Sequence, residues 1–441
     1  MLSRAIVLID RPKPPSSSEE STPMTHVGGL SLLQRTLYAA QRAGIREGLV
    51  LLTEPWPEAE ACIRTDPKNV AFSPLVLSPP SGREEAARSR LASFRCEDFL
   101  FLSGAWLVDR EVLRDLCGTE GPLRAPALVK PARPPAGEDA VPPAALVPAA
   151  TAPAFLDALK EGDTVRAAAR LAENHGNTEE LLLEEPKLFP VRSRAECERA
   201  EDGLLRGLIK PTESFLSQKF ERRISLAITR RLLYSPVTPN LITVFSVLIG
   251  LASALLFIGD SRIAHVIGAL LLLLSSIIDG CDGELARLKY QESRLGSLLD
   301  FLGDNLVHMA VFFCIGFGLA LRGEGSVYLW LGVTSALGVL GSAGAVFWRM
   351  FLKADSVFTF STPVRVEGMA LAQGKLRRQI DFADKISNRD FIYLILVLAA
   401  AGGLWIYAWL SALGSAFYFI YLLYLYRRMS SLKQASPAGG A

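Results

Sequence analysis

Cysteine is scarce and scattered in this chain of 441 residues. The sequence contains no CxxC pair and no cysteine–histidine spacing of the kind that holds zinc. This pattern argues against a disulfide framework and a zinc centre, so we expect buried, reduced thiols. The cysteines are Cys62, Cys96, Cys117, Cys197, Cys281 and Cys314.

Net charge is also nearly absent, because 47 basic residues are balanced by 45 acidic ones and leave a formal charge of +2. A chain without a broad basic field lacks the electrostatic attraction for nucleic acid, so we expect no nucleic-acid partner. Polarity is instead divided along the chain. Residues 1–235 are charged and rich in Pro and Ala, whereas residues 240–427 hold several long apolar runs.

The polar part predicts an α/β domain over residues 1–205. Residues 30–43 have helical spacing and are followed by Gly44, which ends the pattern. Alternation of such helices with short apolar strands predicts a Rossmann-like domain with a largely parallel sheet. A stretch rich in Pro and Ala near residues 121–153 is expected to be irregular. The strand-like runs lie at residues 5–9, 48–52 and 99–102.

Residues 206–235 predict a basic amphipathic helix in the membrane interface. Apolar residues recur there every four positions, and basic residues occupy the other faces. Such a helix suits an anionic membrane surface, although the pattern also fits a helix packed on a soluble domain. The apolar positions are Leu216, Phe220, Ile224, Ile228 and Leu232.

Six candidate membrane spans follow in a membrane domain of residues 236–430, and residues 431–441 are expected to form a disordered tail. Several spans approach the roughly 20 residues that cross a bilayer. Basic residues gather on one set of loops, so the positive-inside rule predicts both termini on the cytoplasmic side. We therefore expect an α-helical bundle of six transmembrane helices in the cell (inner) membrane. The spans are 240–259, 262–278, 297–321, 326–350, 390–406 and 408–426.

Four carboxylates stand where the second span ends and the third begins, on the cytoplasmic side of this topology. Asp279 and Asp282 are three residues apart, and Asp300 and Asp304 are four apart, so each pair shares a helix face. Acids at a span end are costly unless neutralised, and oxygen ligands suit Mg²⁺, Mn²⁺ or Ca²⁺ rather than zinc. The alternative, helix caps and loop solubilisers, explains one or two such acids better than four.

The segment from Asp279 to Asp304 reads D-x2-D-G-x2-A-R-x8-G-x3-D-x3-D. At every fixed position it resembles the signature of the CDP-alcohol phosphotransferase family, and the resemblance covers about residues 205–427. It implies an enzyme that moves a phospho-alcohol from a CDP-alcohol donor to an acceptor alcohol and releases CMP. It also implies a two-metal site that holds Mg²⁺ or Mn²⁺.

The same resemblance implies individual roles. Asp304 would be the general base that deprotonates the acceptor hydroxyl. The implied metal ligands are Asp279, Asp282, Asp300 and Asp304. The residues implied for the CDP moiety are Gly283, Ala286, Arg287 and Gly296, with Thr238 and Asn240 at the start of the first span. The sequence Thr-Pro-Asn is equally an ordinary helix start.

Small residues recur four positions apart in the fourth span, where Gly338 precedes Ser342 and Gly341 precedes Ala345. This spacing favours close helix packing, either within one bundle or across a dimer. We expect packing within the bundle here, and a homodimer as the assembly.

Residues 1–205 resemble sugar-phosphate nucleotidyltransferases, but the functional positions depart from that family. The loop at residues 10–18 has no G-x-G to cradle a triphosphate, and Ala105 and Arg192 stand where metal-binding aspartates are expected. We therefore expect a non-catalytic domain. The segments that carry the resemblance are VGGLSLLQRTLYAAQRAGIREGLVLL, FLFLSGAWLVDREVL and VRSRAECERAEDGLL.

The order of the two domains resembles the family of bifunctional inositol-phosphate cytidylyltransferases/di-inositol-phosphate phosphate synthases. This implies an inositol-type polyol in the donor or the acceptor. A phospholipid synthase that uses CDP-diacylglycerol is the alternative within the same chemistry. A transporter or a non-enzymatic scaffold is the alternative outside it, but the sequence shows no repeated halves and no lost acid.

Overall fold

The computed structural model describes residues 2–9, 22–77, 89–118, 123, 125–132, 142–160, 178–185, 187–209, 220–349, 375–386 and 390–435. The chain divides into two units, Met1–Leu208 and Ile209–Ala441. The first unit alternates strands and helices, whereas the described residues of the second contain helices and no strands.

The first unit is built on a twisted, mostly parallel sheet. The strands of the first unit are β1 (Arg4–Ile9), β2 (His26–Val27), β3 (Leu30–Ser31), β4 (Glu47–Leu52), β5 (Phe72–Val76), β6 (Phe99–Ser103), β7 (Trp106–Val108), β8 (Ala127–Pro131), β9 (Ala144–Val147), β10 (Glu179–Leu183) and β11 (Leu188–Pro190). Within the described residues, seven of them form one sheet in the order β10-β8-β9-β6-β1-β4-β5. Only β9 runs antiparallel to its neighbours there, so the prediction of a largely parallel sheet is confirmed.

Among the residues that the structure describes in this unit, five helices accompany the sheet: α1 (Leu32–Arg42), α2 (Pro57–Thr65), α3 (Arg110–Cys117), α4 (Ala152–Lys160) and α5 (Arg194–Arg206). α1 begins with a capping box, in which Ser31 and Gln34 each bond the other's backbone amide. Two orphan amides of the first turn are thereby satisfied, which explains why the helix starts there. The central strands β1 and β6 are buried almost throughout, as expected for continuous apolar runs covered on both faces.

The expectation of an irregular excursion over residues 121–153 is wrong where the structure describes it. β8 and β9 lie within this stretch, pair with each other and join the sheet beside β6. The prolines flank these strands rather than interrupt them: Pro126 precedes β8, Pro131 ends it, and Pro143 precedes β9. A proline at a strand end removes no central ladder bond, so local composition misled the prediction.

The second unit contains α6 (Arg222–Leu232), α7 (Pro239–Leu256), α8 (Arg262–Leu288), α9 (Arg294–Leu321), α10 (Val327–Phe347), α11 (Lys375–Ile386), α12 (Phe391–Ala401) and α13 (Leu404–Ala435). Among its described residues, α7, α8, α9, α10 and α13 are long and apolar enough to cross a membrane. α12 is equally apolar, but its 11 residues span only about 17 Å. The chain is therefore a multi-pass membrane protein by helix length and composition.

A turn at Gly402–Gly403 separates α12 from α13. Gly402 adopts a left-handed conformation with φ 77° and ends α12, and α13 starts at Leu404. The predicted spans 390–406 and 408–426 therefore divide at the wrong residue, because the apolar run continues past the glycines that break the helix.

The helix α6 covers only the second half of the predicted interfacial segment; residues 210–219, including Leu216, lie outside the described residues. Its buried face is polar, with Ser225 and Thr229 almost inaccessible to solvent. Phe220, just ahead of the helix, and Ile224 are exposed instead. Ile228 and Leu232 are half-buried, so the predicted apolar stripe is exposed only at its amino-terminal end.

The small residues of α10 face α13. A methyl group added at Gly338 would lie 2.6 Å from the Ser415 hydroxyl, and one at Gly341 would lie 2.9 Å from the Phe419 ring. Glycine at these positions lets the two helices approach closely. The expected packing of this face within the bundle is confirmed.

Candidate metal and nucleotide site

The acidic segment folds as the end of one apolar helix and the start of the next. α8 ends at Leu288, Tyr290 turns the chain with φ 51°, and Ser293 caps the first turn of α9 by accepting from the Gly296 amide. This short reversal brings the predicted acids of the two helices to the same end of the bundle.

Three of the four predicted acids converge. Asp279 and Asp282 of α8 are buried and Asp300 of α9 is half-buried, and one carboxylate oxygen from each lies within 4.8 Å of the others. Three clustered carboxylates in apolar surroundings repel one another and lose hydration, which a divalent cation offsets. Their hard oxygen donors fit Mg²⁺ or Mn²⁺. Across the described residues, this is the one group of three acids, histidines or cysteines close enough for a metal.

Asp304 lies one turn beyond Asp300 and is not a member of that group. It lines a cavity together with Asp279, and Ser276 and His308 lie on the same cavity wall. His308 packs against aromatic rings, stacked on Phe312 at 6.2 Å between ring centroids. Asp304 thus shares a partly polar cavity between helices with Asp279, a member of the acid cluster.

Thr243 is a site residue that the sequence reasoning missed. It lies on α7, is buried, and donates its hydroxyl hydrogen bond to Oδ2 of Asp282. A buried carboxylate oxygen needs such a donor, and a fixed donor also fixes the carboxylate's orientation. The available signal was its position one turn after Pro239, on the helix whose first residues were already predicted to touch the nucleotide.

The residues predicted for the CDP moiety surround the acid cluster in two groups. Gly283 lies beneath the Arg287 side chain, since a methyl group there would be 3.3 Å from Nη1 of Arg287. Gly296 faces Asn240, whose Oδ1 would be 2.9 Å from such a methyl group. The starts of α7 and α9 are therefore adjacent, and glycine permits their close approach.

Two further residues predicted to bind the CDP moiety are Thr238 and Ala286. Thr238 precedes α7 as its N-cap residue, but its side chain makes no capping hydrogen bond. Ala286 is half-buried on α8, one turn after Asp282. The roles of Thr238 and Ala286 in binding the CDP moiety therefore stay predictions.

In the first unit, the two positions expected to carry metal-binding aspartates are neighbours. Ala105 follows β6, and its carbonyl oxygen accepts a 3.0 Å hydrogen bond from the amide of Val191. Next to Val191, the Arg192 guanidinium lies 5.5 Å from the centre of the Trp106 ring. The fold thus brings the expected positions together without carboxylates. The loop at residues 10–18 lies outside the described residues.

The part of the second unit that carries the acid cluster matches a known protein family. Residues 236–420 match the family described as CDP-alcohol phosphatidyltransferase. All ten predicted site residues fall within this CDP-alcohol phosphatidyltransferase domain, and the resemblance inferred from the acidic signature is confirmed.

Individual relatives match over shorter stretches. A Thermococcus kodakarensis protein named bifunctional IPC transferase and DIPP synthase is 40% identical over 118 residues, covering 26% of this chain and 26% of the relative. An Archaeoglobus fulgidus protein of the same name is 35% identical over 118 residues, covering 26% and 23%. The chain thus spans about a quarter of the length of these relatives. The solved inositol-1-phosphate CTP transferase from T. maritima is similar with a TM-score of 0.32 and 11% identity, over 44% of this chain and 91% of that chain.

Proposed function

We propose that this chain is an integral membrane transferase that moves a phospho-alcohol from a CDP-alcohol to an acceptor alcohol and releases CMP. The observation that carries the proposal is the convergence of Asp279, Asp282 and Asp300 from two apolar helices to within 4.8 Å. The match of residues 236–420 to the CDP-alcohol phosphatidyltransferase family supports the same chemistry. The names of the relatives support an inositol-type polyol in the donor or the acceptor.

The three converging carboxylates would hold the metal ions, and Asp304 would complete the acidic cluster beside them. Bound Mg²⁺ or Mn²⁺, two ions in our proposal, supplies charge neutralisation for the diphosphate and for the leaving CMP. Thr243 holds the Asp282 carboxylate in place through its hydroxyl group. The half-buried position of Asp300 leaves the cluster open on one side to a charged substrate.

The surrounding residues would bind the CDP moiety. The Arg287 guanidinium can pair with phosphate oxygens in bidentate fashion, and Gly283 beneath it leaves room for that approach. Gly296 and Asn240 lie together at the starts of two helices, where backbone amides and a side-chain amide group suit a nucleotide. Ala286 and Thr238 complete the proposed nucleotide-binding set.

The transfer itself would use Asp304 as the general base. Its carboxylate takes the proton of the acceptor hydroxyl, and the resulting oxygen attacks the β-phosphorus of the CDP-alcohol. The bond from that phosphorus to the bridging oxygen breaks, and CMP departs with the bridging oxygen. The cavity that Asp304 shares with Asp279 supports this role, because a residue of the acid cluster and Asp304 line the same space.

The wider arrangement is part of the proposal. α6 would lie in the membrane interface as an amphipathic helix, six spans would cross the cell membrane, and both termini and the site would face the cytoplasm. The exposed side chains of Phe220 and Ile224, at the start of α6, support the interfacial position. The division into residues 1–205, 206–235, 236–430 and a tail, and the homodimer, stay predictions of the sequence.

The direct test is release of CMP by the purified full-length chain with Mg²⁺ or Mn²⁺. CDP-inositol and CDP-diacylglycerol are supplied in parallel, each with a panel of alcohols that includes inositol phosphate. We expect CMP from the inositol-type donor or acceptor, whereas turnover only with CDP-diacylglycerol and an acceptor other than an inositol would identify a phospholipid synthase.

Paired variants make this test specific. Asp279→Asn should abolish CMP release, whereas Asp260→Asn, an exposed acid beyond the other end of α8, should leave it intact. An absence of CMP with every donor would count against the enzyme and favour a non-enzymatic membrane scaffold.

A further inference from the structure

Glu284 is the most deeply buried acidic side chain among the described residues, with no exposed area. Its two oxygens accept three hydrogen bonds from α6. Oε1 accepts from the Arg222 guanidinium and from the Ser225 hydroxyl, both at 2.7 Å, and Oε2 accepts from the Thr229 hydroxyl at 2.7 Å. Burying a charge is costly, and this set of donors offsets the cost only while every partner is in place.

The position of Glu284 on α8 relates it to the acid cluster. Asp282 and Glu284 are two residues apart, which is about 200° around a helix, so they project from opposite faces. Asp282 points to Thr243 of α7, and Glu284 points to α6. The acid-bearing end of α8 is therefore held from two sides by hydrogen bonds of fixed direction.

Further contacts along the same face strengthen the attachment of α6. Gly280 lies one turn before Glu284, and a methyl group there would be 3.3 Å from Nη1 of Arg222. Lys289, just past the end of α8, donates to the carbonyl oxygens of Leu232 at 3.3 Å and Ser235 at 2.8 Å. The arginine therefore approaches the backbone between the two ligand positions, where a larger residue than glycine would make a tight contact.

We infer that Glu284 is a positioning residue for the metal site, and this inference rests on the site proposed above. Its hydrogen bonds to α6 fix the rotation of α8 about its own axis, and so fix where the Asp279 and Asp282 carboxylates point. The amphipathic helix is then part of the frame of the active site as well as a membrane contact. Loss of the Glu284 charge loosens this frame while leaving the metal ligands themselves intact.

The experiment measures Mn²⁺ binding to the full-length protein in detergent by the electron paramagnetic resonance signal of free Mn²⁺. Glu284→Gln should bind Mn²⁺ about tenfold more weakly, the scale of loss when groups that orient metal ligands are removed. CMP release by this variant should recover at saturating Mn²⁺. A simple folding defect would instead lower the rate at every Mn²⁺ concentration.

A matched control separates positioning from general docking of α6. Glu221 is also a buried glutamate, and its carboxylate accepts a 2.7 Å hydrogen bond from the Tyr393 hydroxyl of α12. Glu221→Gln should keep the Mn²⁺ affinity of the unmodified chain. Equal weakening by both variants would overturn the role assigned to Glu284.

A double variant addresses folding. Replacing both charged residues, with Arg222→Met and Glu284→Met, removes the buried pair without leaving one charge alone. The melting temperature of the double variant should therefore return toward that of the unmodified chain. Its Mn²⁺ binding should stay weak, because no directed bonds orient α8. Normal Mn²⁺ binding by Glu284→Gln or by the double variant would overturn the inference alone, whereas no binding by the unmodified chain would also remove the proposed metal site.

Discussion

The backbone amide of Val191 donates a 3.0 Å hydrogen bond to the carbonyl oxygen of Ala105. This bond joins the two places where a metal-dependent nucleotidyltransferase would need aspartates, and the residues there are Ala105 and Arg192. The first unit keeps this neighbourhood without its carboxylates. We therefore predict that the chemistry belongs to the second unit alone.

The first unit should not transfer nucleotides. The full-length chain, given CTP, inositol phosphate and Mg²⁺, should release no pyrophosphate above background, because alanine offers no metal ligand and the charge of Arg192 repels a cation. The Asp279→Asn variant serves as the control, since it disables only the membrane site. Steady pyrophosphate release that depends on both substrates would contradict this prediction.

Asp282 and Asp304 should separate metal binding from base catalysis. Asp282→Asn should lose both Mn²⁺ binding and CMP release, because Asp282 belongs to the converging group. Asp304→Asn should keep most Mn²⁺ binding and lose about 10²- to 10⁴-fold in the rate of CMP release, the usual contribution of a general base. Loss of Mn²⁺ binding in Asp304→Asn would instead make Asp304 a required ligand.

Thr243 should tune the metal site through its hydroxyl group. Thr243→Val keeps the side-chain shape but removes the donor to Asp282. Leaving a buried carboxylate oxygen without this donor should lower the free energy of unfolding by about 1–3 kcal/mol. It should also raise the Mn²⁺ concentration needed for half-maximal activity. Thr243→Ser retains the hydroxyl and should behave nearly as the unmodified chain. Identical metal titrations for Val and Ser would show that the bond has no role in binding.

Two helical glycines should respond oppositely to alanine. A methyl group at Gly318 would meet the backbone carbonyl of Phe257, whereas one at Gly344 would have no neighbour within 4 Å. Gly318→Ala should therefore destabilise the bundle by about 1–3 kcal/mol through overpacking. Gly344→Ala should stabilise it by about 0.5–1 kcal/mol, since alanine favours the helix. Melting temperatures in detergent check both signs, and a stabilising Gly318→Ala would refute the close approach.

One cysteine should react quickly with a thiol reagent near neutral pH. Cys96 is exposed, whereas Cys62 is half-buried and the other four are buried. The expectation that every thiol is buried is therefore wrong for Cys96 and holds only in part for Cys62. Burial raises the pKa of Cys62, and it raises that of Cys117 to about 11. A raised pKa keeps the thiol protonated and unreactive until the pH approaches that value.

Titration with a chromogenic disulfide reagent measures the number of thiols that react quickly. Cys96→Ser should remove the fast phase, and Cys62→Ser should leave it. Raising the pH should recruit Cys62 next, because its thiolate forms only at higher pH. A second fast thiol at neutral pH would contradict the described burial.

The sequence by itself determined the elements and the chemistry. Spacing alone placed Asp279 with Asp282 and Asp300 with Asp304 on shared helix faces, because helical periodicity is local. Apolar runs likewise predicted β1, β4, β6 and most of the long helices. The acid signature named the family that residues 236–420 match.

Tertiary structure decided what depends on contacts between distant segments. The pairing of β8 with β9 overrode the proline-rich composition around them, since sheet bonds are made with residues far along the chain. Thr243 meets Asp282 across 39 residues, and Arg222 meets Glu284 across 62. No local pattern encodes such partners, because a buried carboxylate takes whichever donors the packed helices bring to it.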